Sequence, residues 1–138
     1  ARLQRMIAMA DIVKVSDEDL DWLAEGVAHD AAIKSWLDGG TSIVLLTEGK
    51  DGATAFTESG SVHEDVVAVD VVDTVGAGDT FNAGLLSSLL EQGCLTKSSL
   101  KTITDQALST ALKRAVQVAA VTVSRAGANP PWKVELDT

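Results

Sequence analysis

Runs of apolar and β-branched residues mark strand-like segments in the first half of the chain. The nearly continuous apolar run over 42–47 predicts a strand buried on both faces, as in a parallel sheet with helices on either side. A β-branched segment over 9–15 predicts a shorter strand that ends at Ser16. Further strands are predicted over 53–57 and, more loosely, over 62–72. These segments indicate a central sheet.

Elsewhere the apolar positions follow the helical period. Ser16 followed by three acidic residues is typical of a helix start with a hydroxyl cap. Phe81, Leu85 and Leu89 stand four residues apart and mark one face of a long helix. This long helix is predicted over 77–92, and further helices are predicted over 30–37, 98–104 and 106–124. With no internal repeat or linker, the chain is predicted to be one α/β unit.

Composition and charge exclude several classes of function. The chain has 138 residues, 46% of them hydrophobic, and a formal net charge of −9 with no basic cluster. We therefore expect neither a nucleic-acid partner nor a membrane partner, since no segment supplies a basic surface or an apolar span of about 20 residues. The single cysteine, Cys94, favours a cytoplasmic location. The chain does not start with Met and its first residues lack a signal-peptide stretch, so we expect it to be cut from a longer one.

The chemistry is concentrated in the segment D-T-V-G-A-G-D-T-F over 73–81, where a two-glycine turn opens directly onto the long helix. The first amides of a helix have no backbone partner and lie at the positive end of its dipole, so glycines there create an anion site. The carboxylate of Asp79 would repel a bound anion, so anion binding alone does not explain its presence. Phosphoryl transfer does explain it, because the attacking hydroxyl needs a base beside the phosphate.

Two common glycine-rich nucleotide motifs do not fit this segment. A dinucleotide fingerprint requires a small residue where Phe81 stands, and the Gly-Lys-Ser/Thr sequence of a P-loop is absent. A tight turn followed by a helix-stabilising acid remains an alternative for Gly76 to Asp79 taken alone.

The longer pattern resembles the C-terminal signature of the PfkB family of carbohydrate kinases, D-T-x-G-A-G-D-x-F. Three more segments resemble motifs of that family in the same order. They are A-D-I-V-K-V-S over 10–16, T-E-G-K-D-G over 47–52 and S-R-A-G-A over 124–128. The resemblance therefore extends over nearly the whole chain.

The resemblance implies a ribokinase-like fold, a three-layer α/β/α sandwich with a mainly parallel central sheet. Residues 1–138 would form the C-terminal ATP-binding portion of a single domain, with the N-terminal half and its lid outside this chain. The implied activity is ATP-dependent phosphorylation of a sugar hydroxyl with Mg²⁺, by a protein that is a homodimer when intact. The fragment alone is not expected to turn over substrate.

The resemblance also implies roles for individual residues. Asp79 would be the general base, and the backbone amides of Ala77, Gly78 and Asp79, with Gly76, would form the anion hole. The residues implied to contact ATP are Thr47, Gly49, Gly52, Gly78 and Val116, the last beside the adenine. Asp73 and the loop over 126–128 would lie where many family members bind a potassium-like cation.

The acceptor is less clearly indicated. The V-S-D-E-D-L opening of the first helix and the closing segment over 125–131 look most like bacterial fructokinases. Ribose, 2-keto-3-deoxygluconate and a nucleoside stay open as acceptors, as does a non-catalytic nucleotide-binding fragment. The sequence alone chooses neither the sugar, the oligomeric state nor the cation requirement.

Overall fold

A computed structural model describes residues 2–137. The ATP-binding portion predicted over 1–138 also includes Ala1 and Thr138, which lie outside the described residues. The described chain begins with a helix and then alternates between helices and short strands. The helices are α1 (Arg2–Met9), α2 (Asp17–Leu23), α3 (His29–Asp38), α4 (Ala77–Glu91), α5 (Lys97–Lys101), α6 (Asp105–Val123) and α7 (Lys133–Leu136). The strands are β1 (Ile12–Ser16), β2 (Ile43–Thr47), β3 (Ala53–Thr57) and β4 (Gly60–Glu64), with a 3-10 turn over Gly49–Asp51.

The four strands form one sheet in the order β1-β2-β3-β4. β1 and β2 are parallel, with Ile12 opposite Ile43, and the two pairs that follow are antiparallel. The described sheet is thus mixed and not mainly parallel as expected, because the connections on either side of β3 are too short for the crossover that a parallel pair requires. The α2–α3 segment provides that crossover between β1 and β2.

Helices cover both faces of the sheet, which confirms the predicted α/β layers. Successive residues of β2 point to opposite faces. Ile43 and Leu45 pack with Phe81, Leu85 and Leu89 and with the apolar side of α6. On the other face, Val44 and Leu46 pack with residues of α2 and α3, among them Leu20, Ile33 and Trp36. β2 is therefore buried on both sides, as its apolar run predicts.

Most predicted helices appear within a few residues of their expected ends. The cap at Ser16 is confirmed, since its hydroxyl oxygen accepts a hydrogen bond from the Asp19 amide at 3.1 Å. The sequence did not indicate α1 or α7. No helix among the described residues is both long enough and apolar enough to cross a bilayer.

The strand predicted over 62–72 is the main difference, because β4 ends at Glu64 and residues 65–74 have no regular secondary structure. The amides of Val72 and Asp73 instead donate to the Val123 carbonyl at the end of α6, at 2.8 and 3.1 Å. Their β-branched neighbours favour an extended chain, but no strand of residues 2–137 completes a ladder with them. This extended segment runs from the sheet to the start of α4.

Gly84 allows α4 to pack closely against α6. A Cβ atom there would lie 3.0 Å from the Ala115 Cα, 3.0 Å from the Val118 Cγ2 and 3.1 Å from the Arg114 carbonyl oxygen. Two of these three atoms belong to the backbone of α6 and cannot move aside alone. The contact fixes the separation of the two long helices on this face of the sheet.

We predict that Gly84→Ala lowers the free energy of unfolding of the full-length protein. Overpacking costs about 1–3 kcal/mol, and the gain of about 1 kcal/mol in helix propensity offsets it only in part. Urea unfolding measures the change, with Leu86→Ala, at a 41% exposed position of the same helix, as the control. A Gly84→Ala protein as stable as the wild type would contradict the close packing of the two helices.

Candidate active site

The turn before α4 depends on Gly76, which has φ = +80° in the left-handed region. A Cβ atom at Gly76 would also lie 3.0 Å from the Cβ of Ala128, so the position lacks both the conformation and the space for a side chain. The Gly76 carbonyl accepts hydrogen bonds from the Thr80 amide at 2.9 Å and the Thr80 hydroxyl at 3.0 Å. These contacts fix where the helix begins.

Two of the three predicted anion-binding amides are available. The Ala77 amide is not available, because it donates to the Thr74 carbonyl at 3.3 Å and so closes the turn before the helix. The Gly78 and Asp79 amides donate to no other described residue. Unpaired amides in the first turn of a helix attract an anion, and the helix dipole adds to that attraction.

The Asp79 side chain is exposed and stands beside these amides in the first turn of α4. It forms neither an ion pair nor a hydrogen bond with any of the described residues 2–137, so its carboxylate is free to accept a proton. Asp79 does not line the cavity that adjoins Gly78.

Asp73 ties the turn to the loop over 126–128. Its carboxylate accepts hydrogen bonds from the Val75 amide at 3.0 Å and from the Gly127 amide at 2.9 Å. These two bonds stabilise the charged form and lower the pKa of Asp73 below its ordinary value. The same loop supplies Ala128, which packs on Gly76. A cation beside Asp73 stays a prediction.

A cavity of about 660 Å³ extends from the start of α4 across the ends of β1 and β2. Its size is within the usual range for sites that bind small molecules. All five residues predicted to contact ATP line it. They are Thr47, Gly49, Gly52, Gly78 and Val116. The structure thus brings together residues from two predicted motifs and from α6, while their individual roles stay predictions.

The glycine loop between β2 and β3 forms one end of this cavity. Gly52 has φ = +92°, and a Cβ atom there would collide with the carbonyl oxygen of Glu64. The Glu48 amide closes the loop by donating to the Gly52 carbonyl at 2.9 Å. Gly52 is consequently a structural requirement of the loop, in addition to any contact with a nucleotide.

Val116 belongs to an apolar wall on α6. Ala119, Ala120 and Val123 continue that wall, and the extended segment over 66–71 lines another part of the cavity with further apolar side chains. A slot bounded by small apolar side chains suits a planar aromatic ring, which gains contact area without needing a side-chain hydrogen bond. The place of Val116 beside an adenine stays a prediction.

Sequence reasoning missed Lys14 as a site residue. Its Nζ atom lies 3.1 Å from the position that a Cβ atom of Gly78 would occupy. Lys14 is in β1, two residues after Ile12, which packs against the cluster between the sheet and α4–α6. A lysine in phase with the inward residues of an otherwise apolar strand is the signal that could have identified it.

The carboxylates of the site are too dispersed to form a metal centre by themselves. The described residues include no group of three or more His, Cys, Asp or Glu side chains that could hold a metal ion. Asp17 is the carboxylate that lines the cavity, beside Ser16. One carboxylate with nucleotide phosphates and water is a sufficient ligand set for Mg²⁺, which keeps several waters in such sites.

Known proteins resemble this chain in sequence and in structure. The model of the pfkB family carbohydrate kinases matches residues 1–135. A fructokinase of Rhizobium leguminosarum bv. trifolii is 48% identical over 108 residues, which are 78% of this chain and 33% of that protein. An aminoimidazole riboside kinase of Salmonella typhimurium is 36% identical over 137 residues, 99% of this chain and 41% of that protein. The crystal structure of a fructokinase with bound ATP from Xylella fastidiosa has a TM-score of 0.85 at 28% identity, over 92% of this chain and 40% of that one.

These matches confirm the ribokinase-like α/β fold expected from the sequence. The chain spans between 33% and 41% of the length of these two curated relatives. The matched residues include the turn, the helix start and the cavity described above.

We predict that the carboxyl group of Asp73 titrates below the ordinary aspartate value of about 3.9. Because its pKa is lowered in the folded state, its contribution to stability is complete above the unfolded value and is lost as the pH falls through the folded value. The amide chemical shifts of Val75 and Gly127 should follow this titration in NMR spectra. Asp73→Asn should remove it, whereas Asp70→Asn, on the same extended segment, should not. A midpoint at or above about 3.9 would contradict the two backbone hydrogen bonds.

Proposed function

The chain belongs to the pfkB family of carbohydrate kinases, and from this membership we propose that the protein transfers the γ-phosphoryl group of ATP to a sugar hydroxyl. The observation that carries the proposal is the start of α4, where two unpaired amides adjoin a free carboxylate and a cavity of nucleotide size. Binding alone would need the amides and the cavity. The carboxylate of Asp79 gives the site a base as well.

The proposed reaction follows from this arrangement. The nucleotide occupies the cavity with its base on the apolar wall of α6 and its phosphates toward Gly78. Asp79 accepts the proton of the sugar hydroxyl as the sugar oxygen forms a bond with the γ-phosphorus. The bond from that phosphorus to the bridging oxygen breaks, and ADP leaves with the electron pair. The Gly78 and Asp79 amides donate to the phosphoryl oxygens throughout.

Mg²⁺ is proposed to accompany the nucleotide and to neutralise phosphate charge. Asp17, with Ser16 beside it, is the carboxylate in this chain best placed to hold it, since both line the cavity. A monovalent cation beside Asp73 is proposed as a further component. Asp73 already orders the loop over 126–128 through Gly127, so a cation there would act on the same turn.

Fructose is the proposed acceptor. The Rhizobium fructokinase is 48% identical to this chain, whereas the Salmonella aminoimidazole riboside kinase is 36% identical. A panel of fructose, ribose, 2-keto-3-deoxygluconate and adenosine, assayed with the full-length protein, tests this choice. Turnover highest with another member of the panel would replace fructose without removing the kinase activity.

The cytoplasmic location and the homodimeric state of the intact protein are also proposals. Cys94 is free, which is compatible with the reducing cytoplasm where ATP is available. The homodimer expected of the intact protein is tested by sedimentation of the full-length chain.

We predict that Asp79→Asn in the full-length protein lowers kcat by about 10²–10⁴-fold, the usual effect of removing a general base. The amide side chain preserves size and polarity but cannot take the hydroxyl proton. Affinity for ATP, measured by calorimetry, should change far less, because the cavity and the backbone amides are retained.

Asp105→Asn is the matched control, since Asp105 is an exposed acid in the first turn of another helix, α6. Both variants lose a carboxylate that interacts favourably with a helix dipole. A loss of stability common to both variants reports that interaction, whereas a loss of turnover confined to Asp79→Asn reports catalysis. Wild-type turnover by the Asp79→Asn protein would remove Asp79 from the mechanism. Binding of ATP without phosphate transfer to any acceptor would instead favour a non-catalytic nucleotide-binding role.

A further inference from the structure

Lys14 is a charged side chain on an otherwise apolar strand. Val13 and Val15, its neighbours in β1, pack into the core on the α2–α3 side of the sheet. Lys14 therefore points to the opposite face, where it lines the cavity beneath α4 and α6. It is half-buried there, opposite Leu45 of β2. A hydrophobic residue at this position would continue the core, so the lysine requires an explanation.

The ammonium group of Lys14 has no acidic partner in the part of the chain that the structure describes. The ion pairs found there use other lysines, such as Lys34 with Asp38 and Lys97 with Asp11. Withdrawing a charge from water without a partner is unfavourable. An anion inside the cavity would remove that cost, and it would come from a ligand.

The alternative is that Lys14 simply extends its amine into solvent. Its observed position is different, because Nζ lies close to Gly78, whose amide is one of the two unpaired donors. The close approach depends on the absence of a side chain at Gly78. Positive charge from β1 and amide donors from α4 thus converge on one location from two separate elements.

From this convergence we infer that Lys14 binds the γ-phosphoryl oxygens of the nucleotide, on the side opposite the amides of α4. The inference rests on the proposed kinase function and assigns a further residue to that site. Lys14 donates to the transferred group from β1, while the Gly78 and Asp79 amides donate from the start of the helix. A lysine is a compact point charge on a flexible stem, so it can follow the phosphoryl group as it moves from ADP to the acceptor.

A contact to the γ-phosphoryl group has a specific consequence for nucleotide binding. Removing the charge should weaken binding of a triphosphate and leave ADP almost unaffected, because ADP lacks the group that Lys14 contacts. A lysine that only stabilised the fold, or only attracted nucleotides in general, would change both affinities alike.

Calorimetry on the full-length protein tests this with ADP and a non-hydrolysable ATP analogue, each with Mg²⁺. We expect Lys14→Met to weaken binding of the analogue at least about tenfold, as for loss of a hydrogen bond to a charged group, and to change the affinity for ADP less than twofold. Turnover should fall by about 10²–10³-fold, the usual effect of losing a donor to transition-state charge. Lys14→Arg should recover part of both losses, since it keeps the charge in a larger group.

Lys101→Met, which removes an exposed lysine of α5 outside the cavity, is the control and should match the wild type. Lys14→Gln provides a second uncharged variant if the methionine protein does not fold. Equal losses for ADP and the analogue, or no loss for either, would overturn the assignment of Lys14. If the wild type binds both nucleotides but phosphorylates no sugar, the proposed kinase function fails while the comparison of ADP with the analogue still decides the role of Lys14. A wild type that binds neither nucleotide contradicts both proposals.

Discussion

The site depends on the first turn of α4, where the Gly78 and Asp79 amides have no partner among the described residues. Such a start is costly unless a ligand or a cap satisfies the amides, and here the surrounding structure holds the turn open. Gly76 provides the left-handed conformation, and Ala128 packs against its bare Cα. Asp73 joins the turn to the loop that carries Ala128 through its bond to Gly127. The anion site is thus maintained by contacts between segments that are far apart in sequence.

The layers of the fold place the other components around this turn. β1 and β2 run parallel, so the ends that carry Ser16 and Thr47 lie side by side beneath α4 and α6. The close approach of α4 to α6 at Gly84 positions the apolar wall of Val116 relative to the amides. Thr47, Gly78 and Val116, which come from three separate parts of the chain, therefore line one cavity.

Local signals in the sequence predict much of this architecture. The two-glycine turn defines the start of α4, the hydroxyl of Ser16 caps α2, and the unbroken apolar run over 42–47 specifies a strand covered on both faces. In each case the information lies within a few adjacent residues. The PfkB-like motifs extend the prediction to the cavity, since the residues that they identify at Thr47 and Gly78 line it together.

The features that were not predicted depend on tertiary contacts. The valines after Glu64 favour a strand, but none of the four described strands pairs with them, so that segment stays extended and irregular. The Ala77 amide bonds to Thr74 because of how the turn closes, which the residue types do not specify. Lys14 reaches Gly78 only because β1 passes beneath the start of α4. Contacts between elements decide the first and third of these points, and the local geometry of the turn decides the second.

The most direct test of the central claim is a crystal structure of the full-length protein with ADP, fructose and aluminium fluoride, which mimics a phosphoryl group in transfer. The account predicts that the mimic lies within hydrogen-bond distance of the Gly78 and Asp79 amides, with the Asp79 carboxylate contacting the sugar hydroxyl. A mimic bound away from the start of α4, or an Asp79 side chain folded back onto its own helix amides, would contradict it.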